Sequence, residues 1–152
     1  MNFTGKKETT GTLEPQNTYE SITKYMTKKV ITFDPEQSIY DAIDIMLEKR
    51  ISGGPVLNAS GDLIGMLSEK DCLKIMVDAA YHNLLNNDGL VKNYMSTQIA
   101  TVDISKDVVD VANMFLSSNF RRYPVVENGK LKGQVSRRDV MKAASKLRGT
   151  TW

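Results

Sequence analysis

Gly65-Met66-Leu67-Ser68-Glu69-Lys70-Asp71 returns near the other end of the chain as Gly133-Gln134-Val135-Ser136-Arg137-Arg138-Asp139. Each copy follows a proline-led apolar run, Pro55-Val56-Leu57 and then Pro124-Val125-Val126, and a short glycine-containing turn. The stretch reads as a strand giving way to a helix. Its glycine permits close backbone approach, and its Ser and Asp stand three apart at the helix start. A duplicated corner of this kind makes the internal repeat the first thing to settle, before any fold is assigned.

Working outward, a constant offset places Met26 over Met95, Thr32 over Thr101, Asp34 over Asp103, Ser38 over Asp107, Asp41 over Asp110 and Pro55 over Pro124. The second half then has one fewer turn residue, after which Gly61 meets Gly129, Leu63 meets Leu131, Ser68 meets Ser136 and Asp71 meets Asp139. In the first copy Val30 to Phe33 predicts a short strand that Asp34-Pro35 breaks. Ser38 caps a helix, with Asp41 completing the reciprocal arrangement. Ile39, Ala42, Ile43 and Met46 form its apolar stripe, widened by Ile45. Two strands follow around the turn at Asn58 to Gly61. A second helix runs from about Glu69 toward Ala80, with Leu73, Met76, Val77 and Ala80 expected inward. Each unit thus reads β-α-β-β-α, an α/β fold in which two pseudo-symmetric units pack through their sheets.

The division expected is a flexible N-terminal arm at 1–20, a first unit at 21–80, a join at 81–90, a second unit at 91–148 and a tail at 149–152. Apolar residues make up 41% and charged residues 25% of the 152, a globular balance. The 20 basic and 18 acidic side chains leave a formal charge of only +2, which argues against a nucleic-acid partner. No apolar run approaches the roughly 18 to 20 residues that span a bilayer, and the polar start lacks a secretory signal. With Cys72 as the one cysteine, no intrachain disulfide is possible, and a cytoplasmic setting is expected. His82, the sole histidine, has no Cys or second His nearby in the sequence for a metal site. Cys72 follows a helix start but lacks a paired base, so it reads as a packed thiol.

The paired corners, together with Tyr25-Met26-Thr27 and Tyr94-Met95-Ser96 at the unit starts and the two proline-led strands, resemble a tandem pair of cystathionine-beta-synthase (CBS) domains, a Bateman module. The resemblance covers roughly residues 22 to 147. It implies a regulatory module that binds AMP, ADP or ATP, ahead of S-adenosylmethionine, rather than an enzyme. It requires no cofactor, and whether Mg2+ accompanies the ligand is left open. It also implies a homodimer through the helices, and a separate regulated protein.

Carried over residue by residue, the resemblance implies two unequal clefts. The second-half cleft would use Ser136 near phosphate, Asp139 on the ribose hydroxyls, and Arg121, Arg122 and Arg138 toward phosphate, with Ile31, Ile51 and the Ser52 backbone around adenine. The first-half cleft would use Ser68 and Asp71, with Ala100, Phe120 and Arg121 contributed from the other unit. The chemistry suits the residues, because a carboxylate accepts both hydrogen bonds of a diol and Arg pairs with phosphate through directed donors. Arginine richness favours the second-half cleft. Two other readings stand beside these. Each Ser-to-Asp pair is equally a capping box, and the apolar residues equally simple core. An interaction module without a ligand is the alternative function. No nucleophile and base are arranged for catalysis, and no metal ligands are grouped.

Overall fold

The computed structural model describes residues 19–82 and 89–149. The arm up to Thr18, most of the join, the His82 side chain and the tail with Trp152 lie outside the described residues. The first unit contains α1 (Ile39–Lys49), β1 (Gly53–Leu57), β2 (Leu63–Ser68) and α2 (Glu69–His82). The second contains β3 (Val102–Asp103), α3 (Val108–Leu116), β4 (Arg122–Glu127), β5 (Lys130–Ser136) and α4 (Arg137–Ser145). A short 3-10 turn precedes each unit, at Ile22–Lys24 and Val91–Asn93.

The hairpins repeat one another in register. Gly53 pairs with Ser68 and Val56 with Gly65 in the first, Arg122 with Ser136 and Val125 with Gly133 in the second, all antiparallel. The strand expected at residues 30–33 is reduced to a single parallel bridge between Phe33 and Val56, whereas β3 in the second unit pairs with β4 over two residues. Proline explains the difference. Ile104 continues the ladder by donating its N–H to Val126 O at 2.9 Å, and the matching residue, Pro35, has no N–H to donate.

The two leading turns cross over. Ile22 is fully buried in the second unit's core, among Val102, Val111, Phe115, Tyr123, Val125 and Val135. Val91 and Tyr94 are buried in the first unit's core with Phe33, Ile39, Met46, Val56, Leu67 and Ile75. Backbone pairs fix each crossing: Thr27 with Gln134, at 2.8 and 2.9 Å, and Ser96 with Met66, both at 2.9 Å. This is where the repeated glycines matter. A Cβ on Gly65 would lie 2.6 Å from Met95 Sδ and 3.0 Å from Ser96 O, and one on Gly133 2.7 Å from Thr27 O and 2.8 Å from Met26 Sδ. The hairpin tips are also joined, by Lys130 Nζ to Asp62 Oδ1 at 2.8 Å and to Ser60 O at 2.7 Å.

Two details of the helices depart from the sequence reading. In α1, Ser38 Oγ accepts from Tyr40 N at 3.1 Å, and Asp41 does not close the reciprocal cap; the full box appears at Asp107 and Asp110 instead. In α2, Leu73, Met76 and Val77 are 63%, 70% and 53% exposed and Ala80 is exposed, while Ile75 is buried and Cys72 and Asp78 are half-buried. The helix start sets this phase. Asp71 must return to Ser68, and Glu69 N donates to Ser52 O at 3.0 Å, which turns Cys72 toward Met46 and Asp78 toward the Tyr94 hydroxyl.

Candidate functional site between the units

The helix starts are built alike in both units. Asp71 Oδ2 accepts from Ser68 N and Ser68 Oγ, each at 2.9 Å, and Asp71 N donates to Ser68 Oγ at 3.2 Å. Asp139 repeats the pattern on Ser136 at 2.8, 3.0 and 3.2 Å. Capping occupies one carboxylate oxygen in each case. Among the described residues the other, Oδ1, has only a lysine beside it, Lys74 at 3.5 Å or Lys142 at 3.9 Å, and retains capacity for a further donor. The two roles foreseen for these pairs are therefore physically compatible.

A cavity of about 300 Å3 lies where the units meet. One wall is the first unit's corner, with Ser52, Gly53, Ser68 and Asp71; the other is the second unit's, with Gln98, Ile99, Ala100, Phe120, Arg121 and Arg122. Seven of the candidate residues thus converge: Ser52, Ser68, Asp71, Ala100, Phe120, Arg121 and Arg122. The sequence reading turned Arg121 and Arg122 chiefly toward Asp139; here both line the cavity that holds Asp71. Ser136 and Asp139 cap α4, Arg138 is exposed, Ile31 packs against the first core, and Ile51 faces a different groove. Gln98 and Ile99 were not anticipated. They precede β3 in an irregular stretch that has no hydrophobic period to mark it, although Ile99 matches Val30 in the repeat.

The electrostatics of this cavity are lopsided. Neither Arg121 nor Arg122 forms an ion pair among the described residues, although Asp71, on the opposite wall, carries a charge of the other sign. Two adjacent guanidinium groups without a carboxylate partner are suited to an anion that presents several oxygens. Ile99, Ala100, Phe120 and Pro124 give the remainder an apolar lining. The dimensions fall at the lower end of small-molecule sites.

A second, wider groove of about 830 Å3 runs between α1 and α2, lined by Ile43, Met46, Leu47, Ile51, Cys72 and Leu73. It shares Ser52 and Arg122 with the first cavity. Burial, aided by the charges of Asp71 and Glu69, pushes the Cys72 thiol up from its ordinary value, the reverse of an activated thiolate. Among the described residues no three His, Cys, Asp or Glu side chains are grouped to hold a metal, and no helix is long and apolar enough to cross a membrane.

A family model for the CBS domain matches this chain twice, over residues 22–78 and 91–146. The crystal structure of CBSX2 in complex with AMP is 28% identical, superposes with a TM-score of 0.74, and corresponds to 85% of this chain and 98% of that one. A second crystal structure of CBSX2, from Arabidopsis thaliana, gives 27% identity and a TM-score of 0.72 over 87% and 99% of the two chains. The chloroplastic CBSX1 of Arabidopsis thaliana is 27% identical over 91% of this chain and 70% of its own length. MJ1225, an uncharacterized protein of Methanocaldococcus jannaschii, is 27% identical over 88% of this chain, which spans only 44% of that protein.

Proposed function

Because the chain belongs to the CBS domain family, carrying two such domains in tandem, we propose that it is a regulatory module which senses an adenine nucleotide and alters a partner protein accordingly. The observation that carries this reading is that Arg121 and Arg122, which form no ion pair among the described residues, line one cavity of about 300 Å3 together with Asp71 and Ser68. In the proposed complex Arg121 and Arg122 hold phosphate. Asp71 Oδ1 accepts from the ribose diol, and Ile99, Ala100 and Phe120 enclose the base. The AMP complex of CBSX2, a structure similar over most of both chains, supports the same ligand class.

Ser136, Asp139 and Arg138, with Ile31 and Ile51, are proposed as a second cleft of lower affinity, since the arginine pair serves the first. The alternative, an interaction module without a ligand, predicts no heat of binding at all. Calorimetry with adenosine, AMP, ADP, ATP and S-adenosylmethionine, each with and without Mg2+, separates the two. Tightest binding by AMP, weakened in Asp71→Ala, is the expected result; no binding by any of the five overturns the sensor reading.

We further propose a homodimer in a cytoplasmic setting, without nucleic-acid or membrane contact. Its basis is the exposed apolar side chains of α1 and α2, Leu47, Leu73, Met76 and Val77, on helices whose opposite faces are already in the core.

A further inference from the structure

The two loops that lead into β1 and β4 are held by their helices in unequal ways. In both units the first helical N–H reaches back to the loop: Glu69 N donates to Ser52 O at 3.0 Å, and Arg137 N to Arg121 O at 3.1 Å. Among the described residues only the second unit adds a side chain. Arg137 Nε donates to Phe120 O at 2.9 Å, whereas Glu69, the residue matching Arg137, carries no donor. Phe120 is further held against Tyr123, ring centroids 5.5 Å apart, and its N–H donates to Ser118 Oγ at 3.3 Å. Phe120 and Arg121 are walls of the cavity; Arg137 is not among its lining residues.

We propose that Arg137 is a positioning residue: its Nε–H clamps the Phe120 carbonyl and so sets where the Phe120 ring stands against the base in the nucleotide site, without touching the ligand. This rests on the proposed function for the ligand but not for the clamp itself. A residue acting through Phe120 governs binding of the base, so its loss weakens adenosine and AMP by the same factor. A residue attracting phosphate weakens AMP alone. Side-chain geometry supplies the control. Glutamine carries its amide nitrogen the same number of bonds from Cα as arginine carries Nε, so Arg137→Gln keeps the donor and removes the charge. Arg137→Lys keeps the charge and has a methylene at that position.

The test combines calorimetry with hydrogen exchange of the ligand-free chain. Arg137→Ala is expected to weaken adenosine and AMP alike, by about three- to tenfold, as the loss of one such hydrogen bond implies. It is also expected to speed amide exchange at Phe120 and Arg121, with Arg137→Gln restoring both. Unchanged exchange in Arg137→Ala, weakening confined to AMP, or rescue by Arg137→Lys but not by Arg137→Gln overturns the clamp. If the wild-type chain binds neither adenosine nor AMP, the nucleotide reading falls, and the exchange comparison with its glutamine rescue decides the clamp alone.

Discussion

Arg122 and Asp71 line the same cavity but answer to different parts of a nucleotide. Arg122→Ala is expected to weaken AMP by about ten- to a hundredfold, the loss of a charge-assisted contact, while adenosine changes little. Asp71→Ala weakens both, and also removes the reciprocal bonds that Asp71 accepts from Ser68 N and Oγ, so its melting point must be read beside its calorimetry. Gly65→Ala needs no ligand to show its effect: a methyl group 2.6 Å from Met95 Sδ is expected to destabilise the chain by about 1–3 kcal/mol in urea titration. Cys72 gives a pH signature. Its folded-state pKa is raised by burial and by Asp71 and Glu69, so the folded thiol keeps its proton where the unfolded one has lost it. The associated stability is complete below the unfolded value near 9 and is lost as pH rises through the folded one. Its reaction with a disulfide reagent at pH 8 is expected to be slower than that of a free cysteine, and to accelerate on unfolding.

At the scale of elements, the repeat, the two hairpins and the serine-aspartate caps were legible in the sequence because each rests on short-range chemistry. Turn glycines, proline-led strands and the Ser-to-Asp spacing at Ser68 and Ser136 speak for themselves within a few residues, whereas the same spacing at Ser38 and Asp41 leaves the reciprocal cap open. The phase of α2 was not legible, because its longest apolar stripe, Leu73, Met76 and Val77, faces outward and the inward face is set by contacts with Met46, Ser52 and Tyr94 from elsewhere in the chain. The allocation of Arg121 and Arg122 was hidden for the same reason. Their position before β4 was clear, but which helix start they confront depends on how the units close on one another. An outward stripe invites a test. Leu73→Asp with Met76→Asp is expected to leave the circular dichroism spectrum unchanged and to shift sedimentation from dimer to monomer, because both side chains lie outside the core of their own unit. A pair that sediments as before removes the proposed dimer face.

For the whole molecule, the crossing of the leading turns makes the units interdependent. Ile22 belongs to the first unit by sequence and to the second by packing, and Val91 and Tyr94 do the converse. A single unfolding transition is therefore expected by fluorescence and far-ultraviolet circular dichroism alike. Ile22→Ala is expected to cost about 2–5 kcal/mol and to lower both halves together. Two separable transitions would show that the units fold alone. Closure around the cavity follows from the same crossing, since Gln98 to Ala100 enter the site directly after the Ser96–Met66 pairing.

The exchange of buried turns has a consequence for how the chain tolerates being cut. Each half holds the stopper of the other's bottle, and the peptide between them, residues 83–88, is only one of several links. Fragments divided there and produced in the same cell should find each other and reassemble without a covalent tie, whereas either fragment alone stays uncorked. Such a nicked protein would come apart only when a stopper is withdrawn.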